Sequence, residues 1–478
     1  MRTTLPEHPA ENPATVISTP APSSDPTAPC RASAALSAAG GILILSLIYA
    51  PWALGCLPPW AVKGLAGLMS LAAVFWSLSI LRRGRTETNA LCLIGSLALL
   101  LQGWWMVFNA HSVYDPAHDR FNFIPAIFPS HPGAVDGRVA AAMMLQISSV
   151  LIAFVIACDL ARQRIWRWRL LTTMALTGVT LAAYGILQRV GFVPAIAHSK
   201  YAESVFASFE YHGNAGAFLN LIIPAVFLLA VARKVSIASV IGLAVCLAAV
   251  LVNVSRAAMV ISFAIVACLA LWARRNTAIR PNIRQAKRRP ITAIIIVAVL
   301  VIACAGSREL WRRWRNFPVN FQRDNPRLLM DRIAYHMARD AGWFGDGPGS
   351  FKLMFPGTRY MIPALYPRWE VLVYKPGEET NRNSYVHNDY LQFAIEWGWI
   401  GAGVWGCLLL GGLWKGWAAY NHPNVADDRP LLAAALIAMG GVLIHATVDW
   451  PLQVASLELY AAVYLAILWS SGEQCASC

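Results

Sequence analysis

The chain has 478 residues, 57% of them hydrophobic and only 13% charged, with a mean hydropathy of +0.50. A soluble chain of this length has no way to bury so much apolar surface. The excess is gathered in runs of about 17–22 residues nearly free of charge, the length at which a helix crosses roughly 30 Å of hydrocarbon. The formal net charge of +14 lies largely in short arginine clusters between those runs: Arg82, Arg83 and Arg85; Arg162, Arg164, Arg167 and Arg169; Arg274 to Arg289. Such clusters mark cytoplasmic loops under the positive-inside rule, so the basic balance gives no reason to expect a nucleic-acid partner.

Residues 1–32 are rich in Pro, Ala, Thr and Ser without periodicity, and read as a disordered cytoplasmic tail. The first apolar run starts too far in, and without a small-residue cleavage site, to be a simple signal peptide. Apolar runs follow at about 33–55, 60–81, 89–109, 138–158, 170–188, 213–232, 235–253, 256–272, 290–305, 396–414, 431–450 and 455–470. The stretch 235–272 is close to two crossings long, and a hairpin turning at Arg256 keeps that charge away from the bilayer centre. The pattern predicts an all-α polytopic membrane protein of about twelve transmembrane helices. Nine lie in a bundle over 33–305 and three over 396–470. Between the ninth and tenth stands one long periplasmic loop domain, 306–395, and a short cytoplasmic tail covers 471–478. With the arginine-rich loops inside, both termini are cytoplasmic, and loops 110–137, 189–212 and 306–395 face outward. Trp residues at segment ends, such as Trp60, Trp104, Trp105, Trp166, Trp397 and Trp450, suit the headgroup zone.

The ten Cys are scattered singly, and the long loop contains none, so disulfides do not hold it together. Cys475 and Cys478 form a lone Cys-x-x-Cys without the further ligands a zinc site needs. In the long loop, Arg308, Arg312, Arg313 and Arg315 suit either a solvated mixed-charge face or the binding of a phosphate-bearing lipid headgroup. From Arg327 to Asp340, apolar residues at Leu328, Leu329, Ile333 and Met337 predict a helix. Gly345-Asp346-Gly347-Pro348-Gly349-Ser350-Phe351 then reads as a sharp turn, since no strand and helix flank it as a dinucleotide site requires. The stretch Asn383 to Gln392 admits two readings. Asn388 or Asp389 caps a helix start; or His387 serves as a general base, with Asp389 or Glu396 orienting it.

Taken in order, several stretches resemble the O-antigen ligase and polymerase superfamily. They are Ala183-Tyr184-Gly185-Ile186-Leu187-Gln188; Gly213-Asn214-Ala215-Gly216-Ala217-Phe218 through Pro224; Val254-Ser255-Arg256-Ala257-Ala258; Gly345 to Phe351; His387-Asn388 with Gly398 after nine further residues; and His445-Ala446-Thr447-Val448-Asp449-Trp450-Pro451. Tyr211-His212 depart from the small residues more usual before Gly213-Asn214.

The resemblance implies a glycosyltransferase of the bacterial inner membrane, active at the periplasmic face. It would move a glycan from undecaprenyl diphosphate to an acceptor hydroxyl on lipid A–core or a similar acceptor, without metal, nucleotide sugar or other cofactor. The partners implied are the lipid-linked glycan, the acceptor glycan and membrane lipid. His387 would deprotonate the acceptor. Arg256, at the family's Ser-Arg position, would clamp the diphosphate against developing charge, although a turn residue reaching to the headgroups is the plainer alternative. Arg189, Lys200, Asn388, Arg312 and Arg313 are further substrate-binding candidates, and Asp389, Glu396, His445 and Asp449 supporting ones. His445 and Asp449, four apart on one helix face, can pair. Ligase is the leading reading. Polymerase or protein O-oligosaccharyltransferase of the same superfamily is the alternative, and a lipid-glycan transporter is less favoured for want of an internal repeat.

Overall fold

The computed structural model describes residues 34–471 apart from 85, 87, 116, 119, 198–204, 233–236, 277–314, 316–325, 361–384 and 424–426. Among the described residues, eight helices precede the long loop: α1 (Ala34–Trp52), α2 (Pro59–Arg83), α3 (Ala90–Phe108), α4 (Gly137–Leu160), α5 (Arg164–Arg189), α6 (His212–Ala232), α7 (Ile237–Asn253) and α8 (Arg256–Arg275). Within the loop lie α9 (Pro326–Asp340) and α10 (Phe351–Tyr360), and after it α11 (Asp389–Asn421), α12 (Arg429–His445) and α13 (Ala455–Ser471). Eight of these are long and apolar enough to cross a membrane, and α7, α12 and α13 are shorter apolar helices. These eleven correspond to eleven of the twelve apolar runs; the ninth, 290–305, lies outside the described residues. One departure from an all-α fold is an antiparallel hairpin between α3 and α4, β1 (Ser112–Asp115) paired with β2 (Arg120–Phe123).

Burial ranks the helices from the centre outward. Every residue of α13 except Glu458 is buried, as is 89% of the apolar window of α6, against 28% for α2 and α3. A helix apolar on every side belongs inside a bundle, whereas α2 and α3 leave apolar side chains such as Leu81, Leu97 and Phe108 exposed for hydrocarbon to cover. Because lipid tails compete with side chains for apolar contact, helix association here leans on close backbone approach and hydrogen bonds. Both appear around α13. Gly411, Gly412 and Gly416 of α11 lie against Trp469, Leu465 and Leu468, leaving no room for a larger residue. The Tyr460 and Tyr464 hydroxyls donate to the Leu47 and Leu221 carbonyls at 2.8 and 2.7 Å.

The turns sort to two ends of the bundle. At one end, Arg83 pairs with Asp159 and the buried Arg167 with Asp428, each at 2.7 Å, joining the arginine-rich turns. At the other end, the Ser208 hydroxyl donates to the Pro51 carbonyl at 2.6 Å, Asn253 to His212 at 2.8 Å, and Asp389 N–H to Ala446 at 2.9 Å. That second end gathers the turns between α1 and α2, α5 and α6, α7 and α8, and α12 and α13, together with the start of α11. The long loop returns to the same place. The buried side of α9, with Leu329, Ile333 and Met337, packs with Phe351, Phe355, Val386 and Ile395 into a second apolar cluster.

Candidate active site

Helix α11 is broken at Gly398, whose φ of 63° and ψ of −173° belong to a backbone region open essentially only to glycine. The Gly-rich turn of the long loop fills the break. Asp346 and Gly347 N–H donate to the Ile395 and Glu396 carbonyls at 2.9 and 3.0 Å, and Trp399 and Ile400 N–H donate to Gly342 and Trp343 at 3.3 and 3.0 Å. A Cβ on Gly398 would lie 2.4 Å from Gly345 N, and one on Gly345 equally close to Gly398 N. The turn reading of Gly345 to Phe351 thus gains a specific task, supplying partners to backbone groups that a broken helix would leave unpaired. The break isolates a short helix, Asp389–Trp397, and His387 stands at its head.

Asn388 caps that helix, its side-chain oxygen accepting from Leu391 N–H at 3.4 Å. Asp389 is buried, and its carboxylate accepts from Leu452 N–H at 2.8 Å. Gln392 ties Val386 N–H at 3.2 Å to Glu396 at 3.0 Å. Of the two carboxylates expected to orient His387, neither does so: Asp389 staples the head of α11 to the turn after α12, and Glu396 holds Gln392. The orienting group is Asp449, which the His445–Asp449 spacing had suggested only as a supporting residue. Its Oδ1 lies 2.9 Å from His387 Nδ1. With Nδ1–H donating to Asp449, the other ring nitrogen, Nε2, carries the lone pair that can accept a proton. His387 adopts φ +61°, a left-handed conformation uncommon for a side-chain-bearing residue and concentrated at functional positions.

Asp449 is held by several partners at once. Burial pushes its carboxyl pKa up, but the hydrogen bond from His387 and the charges of His387, Arg327 and His445 outweigh that and hold it at about 2. Its backbone neighbour Trp450 donates N–H to Oδ1 at 3.2 Å. The Tyr211 hydroxyl also bonds to it, and burial together with Asp449 raises that phenol, keeping it neutral. His445 Nε2 stands 4.0 Å from Oδ2, beyond hydrogen-bond length. His445 Nδ1 is 3.4 Å from Asn220 Nδ2, and Asn220 Oδ1 accepts from the Ser262 hydroxyl. The pairing expected from i,i+4 spacing is therefore an electrostatic contact behind the site.

Arg327, the first residue after Pro326 in α9, completes the cluster. Its two terminal nitrogens donate to the Val448 carbonyl and to Tyr211 Oη, each at 3.1 Å. One turn on, burial pushes Asp331 up to about 6 against the charges of His387 and Arg327. Tyr211 stacks on Trp450 with rings at 5.8 Å, Trp450 stacks on Tyr385 at 3.8 Å, and Tyr211 meets the His387 ring edge-on at 6.1 Å. Tyr211 and Arg327 carry roles that the sequence did not assign to them; the signal available was the departure at Tyr211-His212 and the polar start of the Arg327–Asp340 helix.

The Gly213–Phe218 motif draws the remaining pieces in. A Cβ on Gly213 would lie 2.3 Å from Asp449 Oδ2, and one on Gly216 would lie 2.3 Å from Ala258 Cβ. One turn of α6 thus packs against both the Asp449 turn and the Val254-Ser255-Arg256 turn, where the Ser255 hydroxyl caps α8 by accepting from Ala258 N–H at 3.4 Å. Arg256, half-buried, begins α8 at this same end of the bundle. Arg189 ends α5 there too; its neighbour Gln188 accepts from Ala207 N–H at 2.7 Å. Lys200, Arg312 and Arg313 lie outside the described residues. Among the described residues, no three His, Cys, Asp or Glu side chains gather to hold a metal ion.

Fold and site together define a polytopic α-helical membrane protein with an oriented histidine where a long polar loop rejoins the bundle. A family model described as O-Antigen ligase matches residues 241–406, from α7 through the broken part of α11, and supports the chain's place in the O-antigen ligase-like superfamily. The matched stretch contains Arg256, Arg327 and His387, while Asp449 and Tyr211 lie beyond its ends. No curated protein matches the chain.

Proposed function

We propose that the protein is an O-antigen ligase-like glycosyltransferase, moving a glycan from undecaprenyl diphosphate to an acceptor hydroxyl at the periplasmic face of a bacterial inner membrane. The observation that carries this reading is the His387–Asp449 pair at 2.9 Å, inside a chain of ligase-like family character. His387 Nε2 accepts the acceptor hydroxyl's proton as the oxygen attacks the anomeric carbon. The bond from that carbon to the diphosphate oxygen breaks, and the lipid diphosphate leaves with the electron pair. Asp449 keeps the imidazole in the useful tautomer and stabilises its charged form. Arg256, with Arg189 as a second cation at the same end, stabilises the charge that builds on the leaving diphosphate. Arg327 and Tyr211 hold Asp449 in place.

Profiling the lipid-linked glycans of cells that lack the protein tests this function. Long undecaprenyl-linked chains that never reach lipid A are the expected result. Accumulated single repeats would assign the polymerase reaction instead, and unglycosylated protein with intact lipopolysaccharide would assign the protein-modifying branch. An unchanged glycan inventory would overturn the reading.

A further inference from the structure

Helix α9 has a second face that lies outside the apolar cluster formed by the described residues of the loop. Its apolar side is buried, but on the other side a concavity is lined by Leu328, Asp331, Arg332, Tyr335 and His336. Arg332, Tyr335 and His336 are exposed, Tyr335 at 61%, and the Tyr335 and His336 rings meet edge-on at 6.1 Å. The concavity begins one turn from the site: Arg327 at the head of α9 bonds to Tyr211 and Val448, and Asp331 of the lining follows four residues later on the same side of the helix. Tyr335 stands about 12 Å along the helix axis from Arg327.

We propose that this face of α9, Asp331 with Arg332, Tyr335 and His336, is the acceptor subsite, binding the saccharide that carries the attacking hydroxyl. The inference rests on the glycosyltransferase reading and deepens it. A hydroxyl that gives its proton to His387 must come within about 3 Å of Nε2. The sugar bearing it then lies against the neighbours of His387, and the head of α9 reaches them through Arg327, which bonds to Tyr211 beside the His387 ring. The residue types suit a saccharide. An aromatic ring offers an apolar face to a sugar's C–H surface. Asp331 accepts hydrogen bonds, Arg332 donates them, and His336 does both, which matches vicinal hydroxyls or a phosphate-substituted sugar. The donor is not the occupant, since its diphosphate belongs with Arg256 on the turn between α7 and α8.

The test uses full-length protein in nanodiscs, undecaprenyl-diphosphate-linked glycan as donor, and two acceptor probes: lipid A–core and a single lipid-linked repeat. Each of Arg332→Ala, Tyr335→Ala and His336→Ala is expected to raise the acceptor KM about tenfold, the equivalent of one lost polar or stacking contact. The donor KM and the thermal midpoint stay as in wild type, and Tyr335→Trp, which keeps a ring, restores most of the acceptor KM. Acceptor KM values within twofold of wild type, or donor KM rising in step, would overturn the subsite. Wild-type protein that transfers glycan to neither probe would overturn the reading of transfer to a saccharide acceptor, on which the subsite rests, and that result appears in the control arm alone.

Discussion

Asp449 is buried and charged, a combination that is costly unless the charge is met by several partners. His387, Tyr211, Trp450 N–H and the nearby Arg327 meet it. Its carboxyl is held at about 2, below the ordinary 3.8, so the pair stabilises the fold at any pH above about 4. As pH falls from 4 through 2, the folded protein must take up a proton it resists, and about 2 kcal/mol of stability is lost. Asp449→Asn is expected to flatten that acid limb in a pH series of unfolding midpoints, and an unchanged limb would contradict the assignment. The same substitution leaves a hydrogen-bonding group beside His387 but allows the wrong tautomer, so transfer falls by about 10²–10⁴-fold. The pairing was hidden from the sequence for a simple reason. His387 and Asp449 are brought together by a tertiary contact across α11 and α12, and nearer carboxylates at Asp389 and Glu396 offered themselves first. Both turned out to be tied to backbone and amide groups of the short helix.

Helix α11 shows what hydropathy reads and what it does not. The apolar run begins at about 396, yet the helix begins at Asp389. Much of its first two turns, including Asp389, Gln392 and Glu396, is buried, and a surface covered by protein need not be uniformly apolar as one covered by lipid must be. The hairpin of β1 and β2 escaped for a related reason, since two four-residue strands in an interfacial loop leave little periodic signal. By contrast, eleven apolar runs became helices because the hydrocarbon thickness fixes their length. The spacing from His387 to Gly398 gains a physical meaning: it is the length of the helix that links this histidine to the break. Gly398→Ala is expected to destabilise the protein by about 2 kcal/mol or more, from the glycine-only backbone angles and the contact with Gly345. Thermal unfolding in detergent would show it, and a midpoint equal to wild type would mean that the break does not depend on this glycine.

Across the whole molecule, the two ends of the bundle divide structure from chemistry. The arginine-rich end is joined by Arg83–Asp159 and Arg167–Asp428, and the other end collects the candidate site. Removing one partner of a buried pair leaves a charge uncompensated, so Arg167→Ala is expected to cost about 3–5 kcal/mol. KM for donor and acceptor should not change in the protein that remains folded, as Arg167 is far from the site along α5. Arg256→Ala should do the reverse, sparing the unfolding midpoint and raising the donor KM, which kinetics with graded donor would register. The arrangement also sharpens the place of the long loop. It supplies His387, Arg327 and the α9 face, but Asp449, Tyr211 and Arg256 come from turns of the bundle, so neither part holds a complete site. The central claim is that His387, oriented by Asp449, is the base for glycan transfer. Its most direct test is the transfer rate of purified His387→Ala in nanodiscs, with lipid-linked glycan and acceptor at saturation. The account predicts a rate reduced by at least about 10²-fold with membrane insertion and thermal midpoint unchanged, and a rate equal to wild type would contradict it.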